Sequence, residues 1–481
     1  MLKNLFLLLN LVLMSIEELY EIYLRSRHVT TDSRQVREGS LFFALKGEHV
    51  DGNRYAAAAL EQGAALCVVD NADCVTGDRC LLVKDVLKCL QELARYHRSR
   101  LTIPVIGITG TNGKTTTKEL VHAVLSKRYR TWATQGNQNN HLGVPLTLLS
   151  MPADTEVAIV EMGANHPFEI DFLCGIANPE YGLITNVGKA HLEGFGSLKG
   201  VLRTKSELYK HLAAMAGVII VNADNAMLME RAEKMAQLPS SPSVLPGVVP
   251  SFPGAVPSDY TDGFVPRGVN LPMASVVTYG SSELAEYKGA FVSANPYLKC
   301  YFEDNDDVYT IQTQLIGAYN FDNVMAAVCV GRYFQVDLFD IKTAIESYTP
   351  SNNRSQFKQT ARNRLILDCY NANPSSMQVA IDNFVAMQAT TKVAILGAMK
   401  ELGAESRAEH KALFDRARRG NIDRLLLIGE EFRFADGTDG VLWFADSDAA
   451  RQYLAAHPID GALVLVKGSN SNRLWQLEEF L

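Results

Sequence analysis

Short apolar runs alternate with amphipathic stretches along most of this chain, and they group into three blocks. From Met14 to Tyr96, the runs SLFFAL and ALCVVD flank the alanine-rich, helix-like YAAAALEQGA. Leu101 opens a second block: an apolar run, a glycine loop, then a stretch placing Leu120, Val121, Val124 and Leu125 on one helical face. The runs VAIVE, YGLITN and GVIIVNAD come next. From about Pro350 the runs RLILD, KVAILG, RLLLIG and ALVLV alternate with the helical candidates SMQVAIDNFVAM, RAEHKALFDRARR and DAARQYLAA. A continuous apolar run suits a parallel strand covered on both faces, and its alternation with helices predicts doubly wound α/β units.

Two segments break the pattern. Residues 239–272 hold eight of the 17 prolines and few charges, and strand-like sequence resumes at LPMASVVTYG, so they are expected to be a surface insertion in the middle block. MLKNLFLLLNLVLM has a lysine and then an apolar run, as a signal peptide would. The adjoining stretch SIEELYEIYL is acidic and helical with no small-residue cleavage site, and the apolar run is too short to span a bilayer. Residues 1–13 are therefore expected to be an upstream extension before a start at Met14, with a membrane-associated start as the competing reading, and no stable membrane insertion is expected.

Composition narrows the class. A length of 481 residues fits two to four domains, and 47% hydrophobic with 21% charged residues fits a water-soluble globular protein. The net charge of −7 argues against a general nucleic-acid binder. Eight cysteines form no CxxC pair and lie mostly in apolar segments, as reduced thiols of a cytoplasmic protein would.

The chemistry begins at GITGTNGKTTTKEL, Gly107 to Leu120. The common phosphate loop has a glycine five residues before Gly113; here that position is Ile108, and Gly110 stands two residues later. Gly110 and Gly113 permit the tight turn that aims backbone amides at a phosphate. Lys114 supplies a cation, Thr115 a hydroxyl for magnesium, and the following helix its positive end. Ligands of doubly wound sheets gather at the carboxyl ends of strands, where VAIVE ends in Glu161 and YGLITN in Asn186, followed by His191. Glu161 and His191 are thus expected at one metal–phosphate centre.

These motifs carry a resemblance. TGTNGKTTT, NQNNHLGVPLTLL, VEMGANHPFEI, ITNVGKAHLEGFGS, IGAYNFDNVMAAV, DCYNANPSSM, LGAMKELGAES and VLVKGSNS stand in the order found in Mur ligases. The resemblance runs from about Ser15 to the C-terminus. In detail it is nearest to the branch that adds D-alanyl-D-alanine, and the DNPR motif expected of the neighbouring branch is missing.

It implies three α/β domains: a small nucleotide-sugar domain over 14–98, a central P-loop ATPase-like sheet over 99–348, and a C-terminal Rossmann-like domain over 349–481. It also implies a reaction. The γ-phosphate of ATP passes to a carboxylate of UDP-N-acetylmuramoyl-tripeptide, and D-alanyl-D-alanine attacks the acyl phosphate. A monomer is expected.

Site residues carry over by position. Gly110, Thr111, Asn112, Gly113, Lys114, Thr115 and Thr116 would hold the phosphates. Thr115, Glu161, His191 and Lys205 would hold two magnesium ions, Lys205 as a carbamate. Asn320 and Asn323 would lie near the adenine, with Arg354 on the phosphates and Asp368 binding the ribose or orienting that domain. Asp32, Ser33, Arg34 and Lys46 would face the uridine diphosphate. Asn137, Asn139 and Asn140 would face the muramoyl peptide, and Asn371, Asn373 and Ser376 would face the incoming dipeptide or line the closed cleft. Ala398 stands where many relatives carry aspartate, which puts one polar contact in doubt. Two alternatives stay open: a sister ligase adding a single amino acid, and a silent nucleotide-binding protein.

Overall fold

The computed structural model describes residues 14–26, 28–238, 273–305, 307–350 and 354–481. The N-terminal apolar run and the proline-rich segment lie outside them. Among the described residues the strands form three sheets. The first is parallel, in the order β1 (Val29–Thr30), β2 (Leu41–Phe43), β3 (Leu66–Val69) and β4 (Cys80–Leu82).

The second sheet contains β5 (Val105–Thr109), β6 (Thr131–Ala133), β7 (Val157–Glu161), β8 (Tyr181–Ile184), β9 (Val218–Asn222), β10 (Ser275–Gly280), β11 (Tyr287–Ala294), β12 (Tyr297–Asp304) and β13 (Asp307–Ile316). Their order is β13-β12-β11-β10-β9-β8-β5-β7-β6. From β6 through β11 the pairings are parallel. The chain runs outward from β5 to one edge, returns through β7, and then continues on the other side at β8. This reversal beside β5 is the switch point where such sheets open a crevice at their carboxyl ends. β11, β12 and β13 form an antiparallel extension. YLKCYFED in β12 buries every second residue, because one face of this extension is open to solvent.

The third sheet has the order β14 (Gln356–Gln359), β15 (Arg364–Asp368), β19 (Leu463–Lys467), β16 (Lys392–Gly397), β17 (Arg424–Ile428) and β18 (Val441–Phe444). It is parallel apart from β14 at its edge.

The first two sheets share one core. Leu19 and Tyr23 of helix Ile16–Ser26, and Leu90 and Leu93 of helix Val86–Ser99, belong to the same buried cluster as Val144, Leu148, Leu149 and Leu173. Polar contacts reinforce it: the Tyr23 hydroxyl donates to the Leu149 carbonyl at 2.9 Å, and Arg98 Nε to the Ala177 carbonyl at 2.8 Å. The Arg98 guanidinium also pairs with Glu180, whose second oxygen accepts from the Val105 amide at 2.9 Å. The third sheet has cores of its own, one on each face, and of the second sheet's buried residues they take in only Ile316.

A shared core has a measurable consequence. Leu93→Ala is expected to cost about 2–5 kcal/mol and to shift the unfolding of the first two sheets together in a urea titration followed by hydrogen exchange. Separate transitions for the two sheets would contradict a common core.

Candidate active site

The cavity of about 760 Å³ at the carboxyl ends of β5, β7 and β8 is bounded on its far side by the third sheet's domain. Its floor is the loop after β5. Ile108 is fully buried within β5, so the phosphate-loop turn is made by Gly110 instead, at φ +147. A Cβ on Gly110 would lie 1.9 Å from Thr185 Oγ1, and one on Gly113 (φ +78) would lie 2.6 Å from Asn323 Oδ1. The loop is tied to the strand beside it: Thr111 N donates to the Asn186 carbonyl at 2.9 Å, and Asn112 N to Asn186 Oδ1 at 3.0 Å. Helix Lys114–Leu125 starts at Gly113, and its fully buried residues Leu120, Val121, Val124 and Leu125 fix its direction.

Glu161 ends β7 and is 1% exposed. Thr115 Oγ1 donates to its Oε2 at 2.9 Å and Asn139 Nδ2 to its Oε1 at 2.7 Å, while Lys118 Nζ stands 3.9 Å away. Lys118 also donates to the carbonyls of Thr134 (2.7 Å) and Gly136 (3.2 Å). Lys114 Nζ lies on the carbonyls of Gly110 (2.8 Å) and Thr111 (3.1 Å). Burial pushes its ammonium below the ordinary lysine range, with Glu161 opposing the shift.

His191 caps a short helical turn at φ +48, lines the same cavity and contacts Glu401 through Nδ1. Burial lowers its pKa, Glu401 opposes this, and the charges of Lys114 and Lys205 add to the lowering. Lys205, the last residue of helix Leu198–Lys205, is not among the residues lining the cavity; it is 2% exposed, with Nζ 5.7 Å from the Phe195 ring centre. Burial drives its pKa well down, and Lys114 adds to this.

A hydroxyl and a carboxylate oxygen 2.9 Å apart, at the start of the helix, make a hard oxygen pair of the kind magnesium takes together with substrate phosphates. The residues present therefore fit magnesium: Thr115 and Glu161 would hold it, with His191 on the same wall. No cluster of three or more His, Cys, Asp or Glu side chains suited to a metal occurs among the described residues.

The other expected residues divide by location. Asn137, Asn139, Asn140, Asn320, Asn323, Arg354, Asp368, Asn371 and Ser376 line the cavity. Several are already engaged. Asn140 Oδ1 accepts from Leu142 N and Gly143 N, fixing the start of helix Gly143–Leu149. Asn323 Nδ2 donates to Asn320 Oδ1 at 2.8 Å, and Asn320 Nδ2 to the Ile316 carbonyl at 2.9 Å. The Arg354 guanidinium lies 3.6 Å from the Tyr370 ring centre, and Asp368 pairs with Lys467 at 2.6 Å.

Asn373 is buried and outside the cavity lining. It caps helix Pro374–Ala386, and its Nδ2 donates to Asn112 Oδ1 at 2.8 Å, joining two domains. Asp32, Ser33, Arg34 and Lys46 lie away from this cavity, on the first sheet's domain. Arg34 holds the Asp32 carboxyl down to about 2 through its hydrogen bonds, and Lys46 pairs with Asp70 at 2.9 Å. Ala398 is 1% exposed, and its carbonyl accepts from Asn472 Nδ2 at 3.2 Å.

Three site residues escape the motif reading. Lys118 shares the buried stripe with Val121 and Leu125, and a cation on such a stripe is a legible signal. Lys467 ends an apolar run, the position that singles out Glu161. Glu401 has no local signal, since its role comes from a domain contact.

Comparison with known proteins gives a consistent picture. The model of the Mur ligase family, catalytic domain, matches residues 25–101; that of the Mur ligase middle domain matches 108–241; that of the Mur ligase, glutamate ligase domain, matches 353–470. The UDP-N-acetylmuramoyl-tripeptide–D-alanyl-D-alanine ligase of Bacillus subtilis (strain 168) is 31% identical over 93% of this chain and 92% of its own. That of Escherichia coli (strain K12) is 33% identical over 92% and 91%. The crystal structure of MurF ligase from Thermotoga maritima in complex with ADP superposes with a TM-score of 0.77, at 26% identity, covering 96% of this chain and 97% of that one.

The loop geometry makes a direct prediction. Gly113→Ala forces a left-handed alanine, costing roughly 1–2 kcal/mol, and pushes Asn323 aside. Titration with a fluorescent ATP analogue is expected to show binding weakened about 10-fold or more, and unchanged affinity would refute the tight-loop reading.

Proposed function

The chain belongs to the Mur ligase family, and from that premise we propose how its cavity works. It is an ATP-dependent ligase that joins D-alanyl-D-alanine to UDP-N-acetylmuramoyl-tripeptide in peptidoglycan precursor synthesis. The observation that carries the reading is the cavity in which the phosphate loop, Glu161 and His191 face Arg354, Asp368 and Lys467 of another domain. Phosphoryl donor and attacking amine arrive from opposite walls of such a cavity.

The tripeptide carboxylate is a poor electrophile, so it is first phosphorylated. A carboxylate oxygen attacks the γ-phosphorus of ATP, ADP leaves, and an acyl phosphate forms. The neutral amine of D-alanyl-D-alanine then attacks the acyl carbon, phosphate leaves, and the amine gives up one proton. The loop amides and Lys114 hold the phosphates in line and offset their charge, the main contribution a protein makes to phosphoryl transfer. Thr115, Glu161 and His191 would hold magnesium, which would supply positive charge between the two approaching anions. Asn320 and Asn323 border the nucleoside, and Arg354 reaches the phosphates. Asp32, Ser33, Arg34 and Lys46 serve the uridine nucleotide, Asn137 and Asn139 the muramoyl peptide, and Asn371 and Ser376 the dipeptide. The work is cytoplasmic, where ATP and the nucleotide-linked precursor coexist.

Lys205 completes the set as a carbamate. Its ammonium is buried and makes no hydrogen bond among the described residues, an unfavourable state that reaction with carbon dioxide converts into an anion suited to a metal. Lys205→Met is expected to keep or raise the unfolding midpoint, since it removes a buried cation. Turnover is expected to drop about 100-fold or more, and a carbamate 13C signal from labelled bicarbonate should vanish. A variant with wild-type turnover would remove Lys205 from the mechanism.

The deciding assay is phosphate release with ATP, magnesium, UDP-N-acetylmuramoyl-tripeptide and D-alanyl-D-alanine, against each omission and against single D-alanine. Release with the complete set only is expected, and Lys114→Ala should lower it about 100-fold or more. Release with single D-alanine would reassign the chain to a sister ligase. Silence with ATP still bound would reassign it to nucleotide binding without ligation.

A further inference from the structure

Two non-glycine residues in left-handed backbone meet across the gap between the second and third sheets: His191 at φ +48 and Glu401 at φ +61. Such conformations are costly for side chains with a Cβ and persist where the surroundings enforce them. The Glu401 carboxylate contacts His191 Nδ1, and the Glu193 amide approaches the Glu401 carbonyl at 3.4 Å. Gly403, two residues on, lies so close that a Cβ there would touch Glu193 Cβ at 3.5 Å. The loop carrying Glu401 is braced from behind. Fully buried His410 accepts from the Met399 amide through Nε2 at 3.0 Å, while its Nδ1–H donates to the Ser406 carbonyl at 2.7 Å. Lys400 is held by Glu431 at 2.6 Å. A rigid loop thus presents one strained carboxylate to one strained histidine.

We propose that Glu401 is a positioning residue for the ligation: it accepts the Nδ1–H of His191 and so presents the unprotonated Nε2 to the cavity. A histidine that coordinates a metal or accepts from a substrate needs this fixed tautomer, and a carboxylate on its other nitrogen is the usual means of fixing it. The contact differs from an ordinary imidazole–carboxylate pair in one respect: its two members belong to different domains. His191 acquires its orientation only when the third domain, which carries the dipeptide wall, is docked. Lys189 and Glu409, paired at 2.7 Å, and Asn112 and Asn373 hold the same docking. Glu401 thereby links arrival of the acceptor's domain to readiness of the phosphoryl-transfer side. The activity part of this inference rests on the ligase reading; the tautomer part stands independently.

Glu401→Gly is the informative variant, because glycine suits the left-handed backbone and removes the carboxylate without straining the fold. In the resting protein labelled with 15N-histidine, wild-type His191 is expected as a single tautomer protonated at Nδ1. The variant should show the averaged signals of a mixture while its unfolding midpoint stays equal or rises. In the phosphate-release assay, kcat should fall about 10–100-fold with KM for ATP within about twofold. An unchanged His191 spectrum in Glu401→Gly overturns the proposal, as does a lost tautomer with wild-type kcat. If wild-type protein releases no phosphate with the complete substrate set, the ligase reading fails and the spectra alone judge the contact.

Discussion

A carboxylate sealed from water destabilises a protein unless both oxygens are matched, and Glu161, 1% exposed, determines where the surrounding segments lie. Oε2 takes the Thr115 hydroxyl and so anchors the first turn of helix Lys114–Leu125. Oε1 takes the Asn139 amide, and the Glu161 backbone N–H donates to Thr134 Oγ1 at 3.0 Å. Lys118 supplies the compensating charge and, through the carbonyls of Thr134 and Gly136, holds the segment leading to Asn139. Removing one partner would strand a buried charge, which costs more than the pair contributes. The phosphate loop, the β6 loop and the end of β7 are therefore one electrostatic unit. A hydrophobic residue at position 161 would fold with less difficulty, so the arrangement reads as one kept for chemistry.

The joints between domains follow a different division. Leu19, Leu90 and Leu93 share a core with Val144, Leu148 and Leu173, which makes the first two domains a single packed body. Between the second and third domains the contacts around the cavity are polar: Lys189 with Glu409 at 2.7 Å, Asn112 with Asn373 at 2.8 Å, and His191 with Glu401. Each is worth little alone, since exposed ion pairs and single hydrogen bonds contribute about 1 kcal/mol or less. Apolar packing resists sliding, whereas polar contacts exchange readily with water. The joint between the second and third domains is therefore the less densely packed of the two, and the cavity lies at that joint.

Much of this was legible in the chain because it is local. VAIVE, RLILD and KVAILG are strands over the residues quoted, since parallel strands covered on both faces leave unbroken apolar runs. Gly110, Gly113, Lys114 and Thr115 could be placed because a strand–loop–helix joint has few geometries. The antiparallel β11–β13 extension is less visible: its alternation is of period two, and continuous runs do not reveal it. Asn373 reads as a ligand-facing side chain in DCYNANPSSM, yet it is spent on a helix cap and a domain contact, a competition that spacing cannot resolve. Glu401 is the far case. Nothing in LGAMKELG gives its one acid a role, and only the approach of His191 from more than two hundred residues earlier gives it meaning.

The distribution of charge over the two walls explains why the site is split at all. The loop side sets the cations Lys114 and Lys118 beside one buried carboxylate, a setting that favours a polyanion. On the opposite wall, Lys467 is spent on Asp368 at 2.6 Å and Arg354 stacks on Tyr370, so that wall's lining carries no excess negative charge before any ligand arrives. An incoming amine must be neutral to attack, and a wall without excess negative charge does not hold it as ammonium. Placing both environments in one rigid domain would bring the amine beside the lysine cluster before the acyl phosphate existed. Separate walls allow phosphoryl transfer and amine attack to use different electrostatics.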